Sequence, residues 1–132
     1  MKKLLGILSL ALITLGFVAC NSATSSPEAV TKAYLTALQK NDVEKAMSYC
    51  HFSNQLTPEQ HDKIVATFTE KLTLINDRYQ GVAEFTIGEV EMAEDGEHAV
   101  VKYNIVYGNG DTKDTDEKVV KVDKKWLIDT GK

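Results

Sequence analysis

The first half of the chain after residue 26 places its apolar residues at intervals of three and four. In the first such stretch the apolar positions are Val30, Tyr34, Leu35 and Leu38. This spacing is that of an amphipathic helix. Pro27 at a first helical position and the capping-box spacing of Ser25 and Glu28 indicate where that helix begins. A second, shorter helix is predicted to follow Asp42, whose side chain can cap it.

The longest helix is predicted to begin at Pro58. Thr57 is its expected cap, and proline is well tolerated at the first helical position. The apolar residues that then repeat at three and four are Ile64, Val65, Phe68, Leu72 and Ile75. The sequence therefore predicts three helices before residue 81.

From Gly81 onward the apolar period falls to two, which indicates β-strands. Four segments show it: "VAEFTIGEVEM", "HAVVKYNIVY", "TDEKVVKV" and "KKWLID". A phase slip at Gly88 and Glu89 predicts a β-bulge in the first of them. Short polar turns join successive segments, which favours an antiparallel meander. The predicted fold class is α+β, with three N-terminal helices packed on a curved four-stranded antiparallel meander.

The chain begins with a different pattern, "MKKLLGILSLALITLGFVA". Two lysines followed by an uncharged run of 16 residues are typical of a secretory signal, and the run is short for a permanent membrane anchor. Phe17, three residues before Cys20, disfavours ordinary cleavage after Ala19. We expect a signal peptide at residues 1–19, a cysteine and polar tether at 20–26 and one domain at 27–132.

"FVAC" resembles the lipobox of bacterial lipoproteins. The resemblance implies that Cys20 is the lipid attachment site and the first residue of the mature chain. An unlipidated secreted protein and an uncleaved anchor are the alternatives. No acidic residue precedes Glu28, so an acidic surface-export signal does not follow Cys20 directly. We therefore expect a lipid-anchored protein of the bacterial cell envelope, on the outer membrane and facing the periplasm.

Charge changes the list of expected partners. The sequence has 15 Lys and Arg against 19 Asp and Glu, a net charge of −4, and loss of Lys2 and Lys3 with the signal peptide makes it −6. An acidic domain is not attracted to nucleic acid or to anionic lipid. We expect no nucleic-acid partner and attachment to the membrane through the lipid alone.

The ordered set "SPEAVTKAYLTALQKNDVEKAMSY", a long helix, "GEVEMAEDGEHAVVKYNIVYGNGDTKD" and "KKWLID" covers residues 26 to 129. It resembles uncharacterised bacterial lipoproteins with a cystatin-like or nuclear-transport-factor-2-like domain. The resemblance implies a sheet wrapped around a helix with a cone-shaped hollow between them. It implies no established activity, although the superfamily includes ketosteroid-isomerase-like and polyketide-cyclase-like enzymes.

Such enzymes need a carboxylate or histidine base beside a neutral donor in an apolar pocket. Tyrosines can supply the donor, but no acid is clearly placed beside them in the sequence, and most carboxylates fall in turns or on the polar phase of strands. We therefore expect no enzymatic activity. The residues that we expect to line the hollow are Tyr34, Phe68, Tyr103 and Trp126, with Trp126 closing the core or contacting a ligand at the mouth.

Cysteine and histidine give no second site in the sequence. Cys50 is expected to be a buried, inert thiol if Cys20 is acylated, or a disulfide partner of Cys20 if it is not. His51, His61 and His98 lack ligand spacing, and "GNGDTKDTDE" lacks the order of a calcium loop, so no metal or cofactor is expected. Three function classes remain: an interaction module for an envelope protein, a carrier of a small apolar ligand, and an enzyme.

Overall fold

The computed structural model describes residues 23–131, which form three helices and a five-stranded mixed sheet. The elements are α1 (Pro27–Gln39), α2 (Val43–Ser48), β1 (Cys50–His51), α3 (Pro58–Tyr79), β2 (Val82–Met92), β3 (His98–Tyr107), β4 (Thr112–Val122) and β5 (Lys125–Asp129). The predicted signal peptide and Cys20 lie outside the described residues. Within the described range, no helix combines the length and apolar character needed to cross a membrane.

The helices begin at side-chain caps. Ser26, not Ser25, caps α1, because its hydroxyl accepts a hydrogen bond from the Ala29 N–H at 3.1 Å. The predicted capping box of Ser25 and Glu28 was therefore one residue early. Asp42 caps α2 as expected. Thr57 and Gln60 form a reciprocal capping box at the start of α3.

The strand order is β1-β5-β4-β3-β2. Strands β2 to β5 pair antiparallel in sequence order, as the alternation predicted. The prediction of four strands was wrong because β1 adds a fifth, pairing parallel to β5 at Cys50 and His51. A two-residue strand has no alternation to detect, and its partner lies far away in the sequence.

Register shifts and a tight turn shape the sheet. The register of β2 against β3 shifts between Ile87 and Val90, which confirms the bulge predicted around Gly88. The turn between β4 and β5 is made by Asp123 and Lys124, both in the left-handed region with φ of 50° and 70°. Positive φ at two successive turn residues matches the right-handed twist of the strands that they join.

The core lies between α1 and the inner face of the sheet. Val30 from α1, Val101 from β3 and Val119 from β4 are completely or almost completely buried there. Trp126 and Ile128 of β5 extend the same cluster. These residues belong to the alternating and helical stripes of the sequence, so burial of the apolar faces accounts for the arrangement.

Helix α3 is packed less tightly than α1. Among its 22 residues Leu72 alone is buried. Its C-terminal end is fixed by a stacked pair, Tyr79 on Tyr107, with ring centroids 4.5 Å apart. Near its N-terminal end, Nε2 of His61 lies 3.0 Å from a carboxylate oxygen of Glu44 on α2. Helix α3 is therefore anchored near both ends, and a space lies between it and the sheet.

The end of the predicted tether contacts the sheet. The Trp126 N–H donates a hydrogen bond of 2.9 Å to the Thr24 carbonyl. Ala23 and Thr24 are half-buried. The chain is thus held against β5 three residues before α1 begins.

Candidate ligand-binding hollow

A hollow of about 320 Å³ lies between α1, α3 and the inner face of β2, β3 and β4. We call it the inner hollow. Its apolar lining includes Leu35, Leu38, Leu72, Ile75, Phe85 and Ile105. Its size and largely apolar wall are those of a pocket for a small organic molecule.

Strand β4 supplies a polar stripe to this apolar wall. Alternate residues of a strand share one face, and cross-strand partners lie on the same side of the sheet. Glu117 pairs with Val101, which is completely buried. Thr115 pairs with Tyr103, and both line the inner hollow together with Glu117. The register therefore places a carboxylate on the core side of the sheet.

Glu117 is the functional candidate that sequence analysis missed. The signal was present, because Glu117 is two residues before Val119 and so shares its face. The polar letters of "TDEKVVKV" concealed it, since three of the first four residues are charged. The expectation that no acid lies beside the tyrosines was therefore wrong.

The environment of Glu117 favours its neutral form. Burial, followed by the nearby charge of Asp116, raises the pKa of Glu117 from 4.5 to about 7, while Lys71 on α3 acts in the opposite direction. Among residues 23–131 no hydrogen bond or ion pair engages its carboxylate. Near neutral pH the group can therefore either donate a hydrogen bond or accept a proton.

Two tyrosines face the same carboxylate. Burial raises the pKa of Tyr34 and of Tyr103, and the charge of Glu117 raises both further. The two hydroxyls stay protonated at any physiological pH, so they can donate hydrogen bonds. Neither hydroxyl has a hydrogen-bond partner within the described part of the chain. Together with Glu117 they make a polar cluster in an apolar hollow.

The residues expected to line a hollow divide into three groups. Tyr34 and Tyr103 line the inner hollow. Phe68 packs edge-on against Tyr34, with ring centroids 6.4 Å apart, and lines an adjoining cleft of about 150 Å³. Trp126 lies in the core cluster and is not part of this lining. Cys20, the predicted lipid attachment site, lies outside the described residues.

Cys50 is free and half-buried on β1. Its thiol donates a long hydrogen bond of 3.5 Å to the Ala46 carbonyl. Burial, and then the charge of Glu117, raises the pKa of this thiol to about 12. A thiol in this environment is a poor nucleophile, because the thiolate is the reactive form.

Two other kinds of site in the described part of the chain can be compared with the inner hollow: a metal site and a larger groove. No group of three His, Cys, Asp or Glu side chains within it could hold a metal ion. A groove of about 640 Å³ between α1 and α2 is larger, but its polar lining consists mainly of exposed lysines at positions 32, 40 and 45. The inner hollow is the stronger candidate because Tyr34 is buried, Tyr103 and Glu117 are half-buried, and the three converge on an apolar wall.

The family model "Domain of unknown function (DUF4878)" matches residues 18–129. The chain belongs to the DUF4878 family. This confirms the expected relationship to a domain of unknown function, and no curated protein matches the chain significantly.

Solved structures related to this DUF4878 protein share its fold. A Campylobacter jejuni protein provisionally named an NTF2-like transpeptidase is 25% identical, with a TM-score of 0.64 over 80% of this chain and 98% of that one. A Nostoc punctiforme protein of unknown function with a cystatin-like fold is 12% identical, with a TM-score of 0.51 over 90% of each chain. A Bacteroides uniformis DUF4783 protein is 15% identical, with a TM-score of 0.50 over 76% of this chain and 91% of that one.

Proposed function

We propose that this DUF4878 protein is a lipid-anchored protein of the bacterial cell envelope that binds a small, mainly apolar ligand in the inner hollow. Its membrane partner is the lipid bilayer, reached through Cys20 on the outer membrane, with the domain facing the periplasm. Between the two occupants expected from the sequence, a small ligand and a neighbouring envelope protein, the hollow favours the small ligand.

One observation carries the proposal: Glu117, Tyr34 and Tyr103 converge inside an apolar hollow of about 320 Å³. Polar groups placed there lose water contacts and have no protein partner among residues 23–131. A buried polar group without a partner costs roughly 1 to 3 kcal/mol. A ligand that brings one polar group and an apolar body satisfies these groups and fills the hollow.

The test compares two neighbouring positions on β3. Ile105 lines the inner hollow, whereas Val106 is the next residue and points to the other side of the sheet. Ile105→Trp fills the hollow, and Val106→Trp is the matched control. The probe is octan-1-ol, titrated by calorimetry into the full-length chain in phosphatidylcholine nanodiscs, with empty nanodiscs as the blank.

We expect octanol to bind the unmodified chain and the Val106→Trp variant, and binding to be lost in Ile105→Trp. Circular dichroism of both variants checks that they fold alike. Equal binding by two folded variants, or no binding by the unmodified chain, contradicts a ligand site in the inner hollow.

Proton transfer is a second candidate, favoured by one observation. Glu117 has a pKa of about 7 beside two neutral hydroxyl donors, and a general base works best with a pKa near the operating pH. Its carboxylate would take a proton from the carbon next to a ligand carbonyl, the tyrosines would hold the enolate oxygen, and the proton would return to carbon. Deuterium uptake from heavy water into a bound ketone, abolished by Glu117→Gln while binding persists, would favour this function over binding alone.

The name of the Campylobacter jejuni protein raises a third activity, transpeptidation. Acyl transfer of that kind needs an activated nucleophile. The Cys50 thiol interacts with the Glu117 charge, and its pKa of about 12 keeps it protonated. We therefore do not extend the transpeptidase name to this chain.

A further inference from the structure

We propose that the ligand of the inner hollow is an anionic amphiphile, with a carboxylate held by Glu117, Lys71, Tyr34 and Tyr103 and an apolar body lying toward Ile105. This inference rests on the binding function proposed above. It adds the charge and the orientation of the ligand.

The hollow has one end, the polar end, that carries the Glu117 carboxylate, and an end whose lining is mostly apolar, with the exposed Lys113 at its margin. Along β4, Glu117 and Lys113 are four residues apart, about 13 Å in an extended strand. Glu117 faces Val101, and Lys113 faces Ile105. The register thus separates the carboxylate from the wall around Ile105, where the apolar side chains gather.

Helix α3 runs in a matching direction. Its last residue, Tyr79, stacks on Tyr107 at the end of β3, beyond Ile105. Ile75 lies one turn before Tyr79, and Lys71 lies one turn before Ile75, which brings Lys71 toward Glu117. The effect of Lys71 on the carboxyl of Glu117 is consistent with this placement. A cation on the helix therefore faces the polar end.

The groups facing Glu117 come from four other elements: Tyr34 of α1, Cys50 of β1, Lys71 of α3 and Tyr103 of β3. One of them is a cation, two are hydroxyl donors, and the thiol is protonated. No second carboxylate lines the described hollow. When Glu117 is protonated, the polar end consists of donors, which is the arrangement that a carboxylate ligand requires.

Because Glu117 changes its charge near pH 7, the inference predicts the direction in which the Kd of a charged ligand changes with pH. A bound carboxylate repels an ionised Glu117, so it selects the protonated form. The protonated fraction falls about tenfold between one pH unit below and one above the pKa of about 7. The apparent Kd is the intrinsic Kd divided by the competent fraction. The Kd for an anion should therefore rise about tenfold, whereas a cation should bind more tightly as pH rises.

Three probes that share the same hydrocarbon chain and differ in charge distinguish an anionic, a neutral and a cationic ligand: octanoate, octan-1-ol and octylamine. Each is titrated into the full-length chain in phosphatidylcholine nanodiscs at the two pH values. The charges of octanoate and octylamine do not change between them. We expect octanoate to bind more tightly than octanol below the Glu117 pKa and to lose about tenfold in affinity above it. Glu117→Gln, which keeps a donor, should bind octanoate with no such pH dependence.

Lys71→Met tests the cation on α3. It should weaken octanoate binding roughly two- to fivefold more than it changes octanol binding, which is the effect of one partly exposed ion pair. Lys63→Met is the matched control, because Lys63 is exposed on the same helix and does not line the inner hollow.

The outcomes separate this inference from the function on which it rests. Octanoate and octanol binding alike at both pH values, or octylamine binding best above the Glu117 pKa, overturns the anionic ligand and leaves a ligand-binding hollow. Failure of all three probes to bind, or binding that Ile105→Trp does not affect, overturns the proposed function itself.

Discussion

At the scale of single residues, Glu117 makes the stability of the fold depend on pH. Its pKa is raised from 4.5 to about 7, mainly by burial. A carboxyl with a raised pKa contributes its full stabilisation below the unfolded value of 4.5 and loses it as pH rises through 7. Above pH 7 the folded chain must therefore hold an ionised group in a site that disfavours it.

Glu117→Gln should remove that cost. We expect the variant to be more stable than the unmodified chain above pH 7 by about 1 to 3 kcal/mol, which is less than the full shift would give at about 1.4 kcal/mol per pKa unit because Glu117 is only half-buried. The gain should shrink as pH falls toward 4.5. Urea titrations at several pH values measure it, with the exposed Glu84→Gln on β2 as the control. A gain that does not change with pH would mean that Glu117 is not buried.

Trp126 lies in the core, which is one of the two positions that the sequence left open for it. Its side chain is 6% exposed in the core cluster, with Lys121 Nζ 6.0 Å above the ring. Trp126→Ala should cost about 3 to 5 kcal/mol of unfolding free energy, because a large buried aromatic leaves a cavity. Leu127→Ala, on the opposite face of β5, should cost less. A loss below roughly 1 kcal/mol for Trp126→Ala would show that the ring is not packed.

At the scale of elements, the end of α3 is joined by hydrogen bonds to the β3–β4 turn, beside the Tyr107 end of the hollow. Gly108 donates its N–H to the Gly81 carbonyl at 2.8 Å, and Asn109 donates to Tyr79 at 2.9 Å. A Cβ at position 108 would lie 2.1 Å from the Gln80 carbonyl oxygen, a backbone atom. The two chain segments approach this closely because residue 108 has no side chain.

Gly108→Ala should therefore disrupt the joint. We expect a loss of about 1 to 3 kcal/mol or more, as for other steric overpacking, measured by thermal or denaturant unfolding. Gly96→Ala is the comparison, because its Cβ meets no atom within 4 Å and adds only the strain of a positive φ. Equal losses in the two variants would show that the clash at Gly108 is relieved without cost.

The elements that the sequence could predict are those in which the apolar pattern repeats several times. Helix α3 and strands β2 and β3 repeat over many residues, and their positions were predicted closely. Strand β1 could not be predicted, since two residues carry no period and its pairing to Ile128 is made by the tertiary fold. For the site, periodicity correctly placed Tyr34 and Tyr103 on the inner face. Glu117 could not be predicted in the same way, because charged residues are rare in an apolar core.

At the scale of the whole molecule, the contact at Thr24 brings the folded domain close to the proposed anchor. Thr24 is held on β5 by the Trp126 N–H, and Cys20 lies four residues earlier in the sequence. Four extended residues span at most about 14 Å. If Cys20 carries lipid, the Trp126 end of β5 must therefore lie near the membrane surface, and the acidic domain of net charge −6 gains no attraction from anionic lipid.

The two cysteines of the chain allow the anchor to be tested with a matched pair of variants. Cys20→Ser should abolish palmitate labelling and either release the domain from the membrane fraction or leave unprocessed precursor. Cys50→Ser should keep the label and the membrane attachment, because Cys50 lies inside the fold. Stable anchoring needs more than one acyl chain, so the difference should appear as nearly complete retention against loss. Processed Cys20→Ser protein that still labels and sediments with membranes would refute lipidation at Cys20.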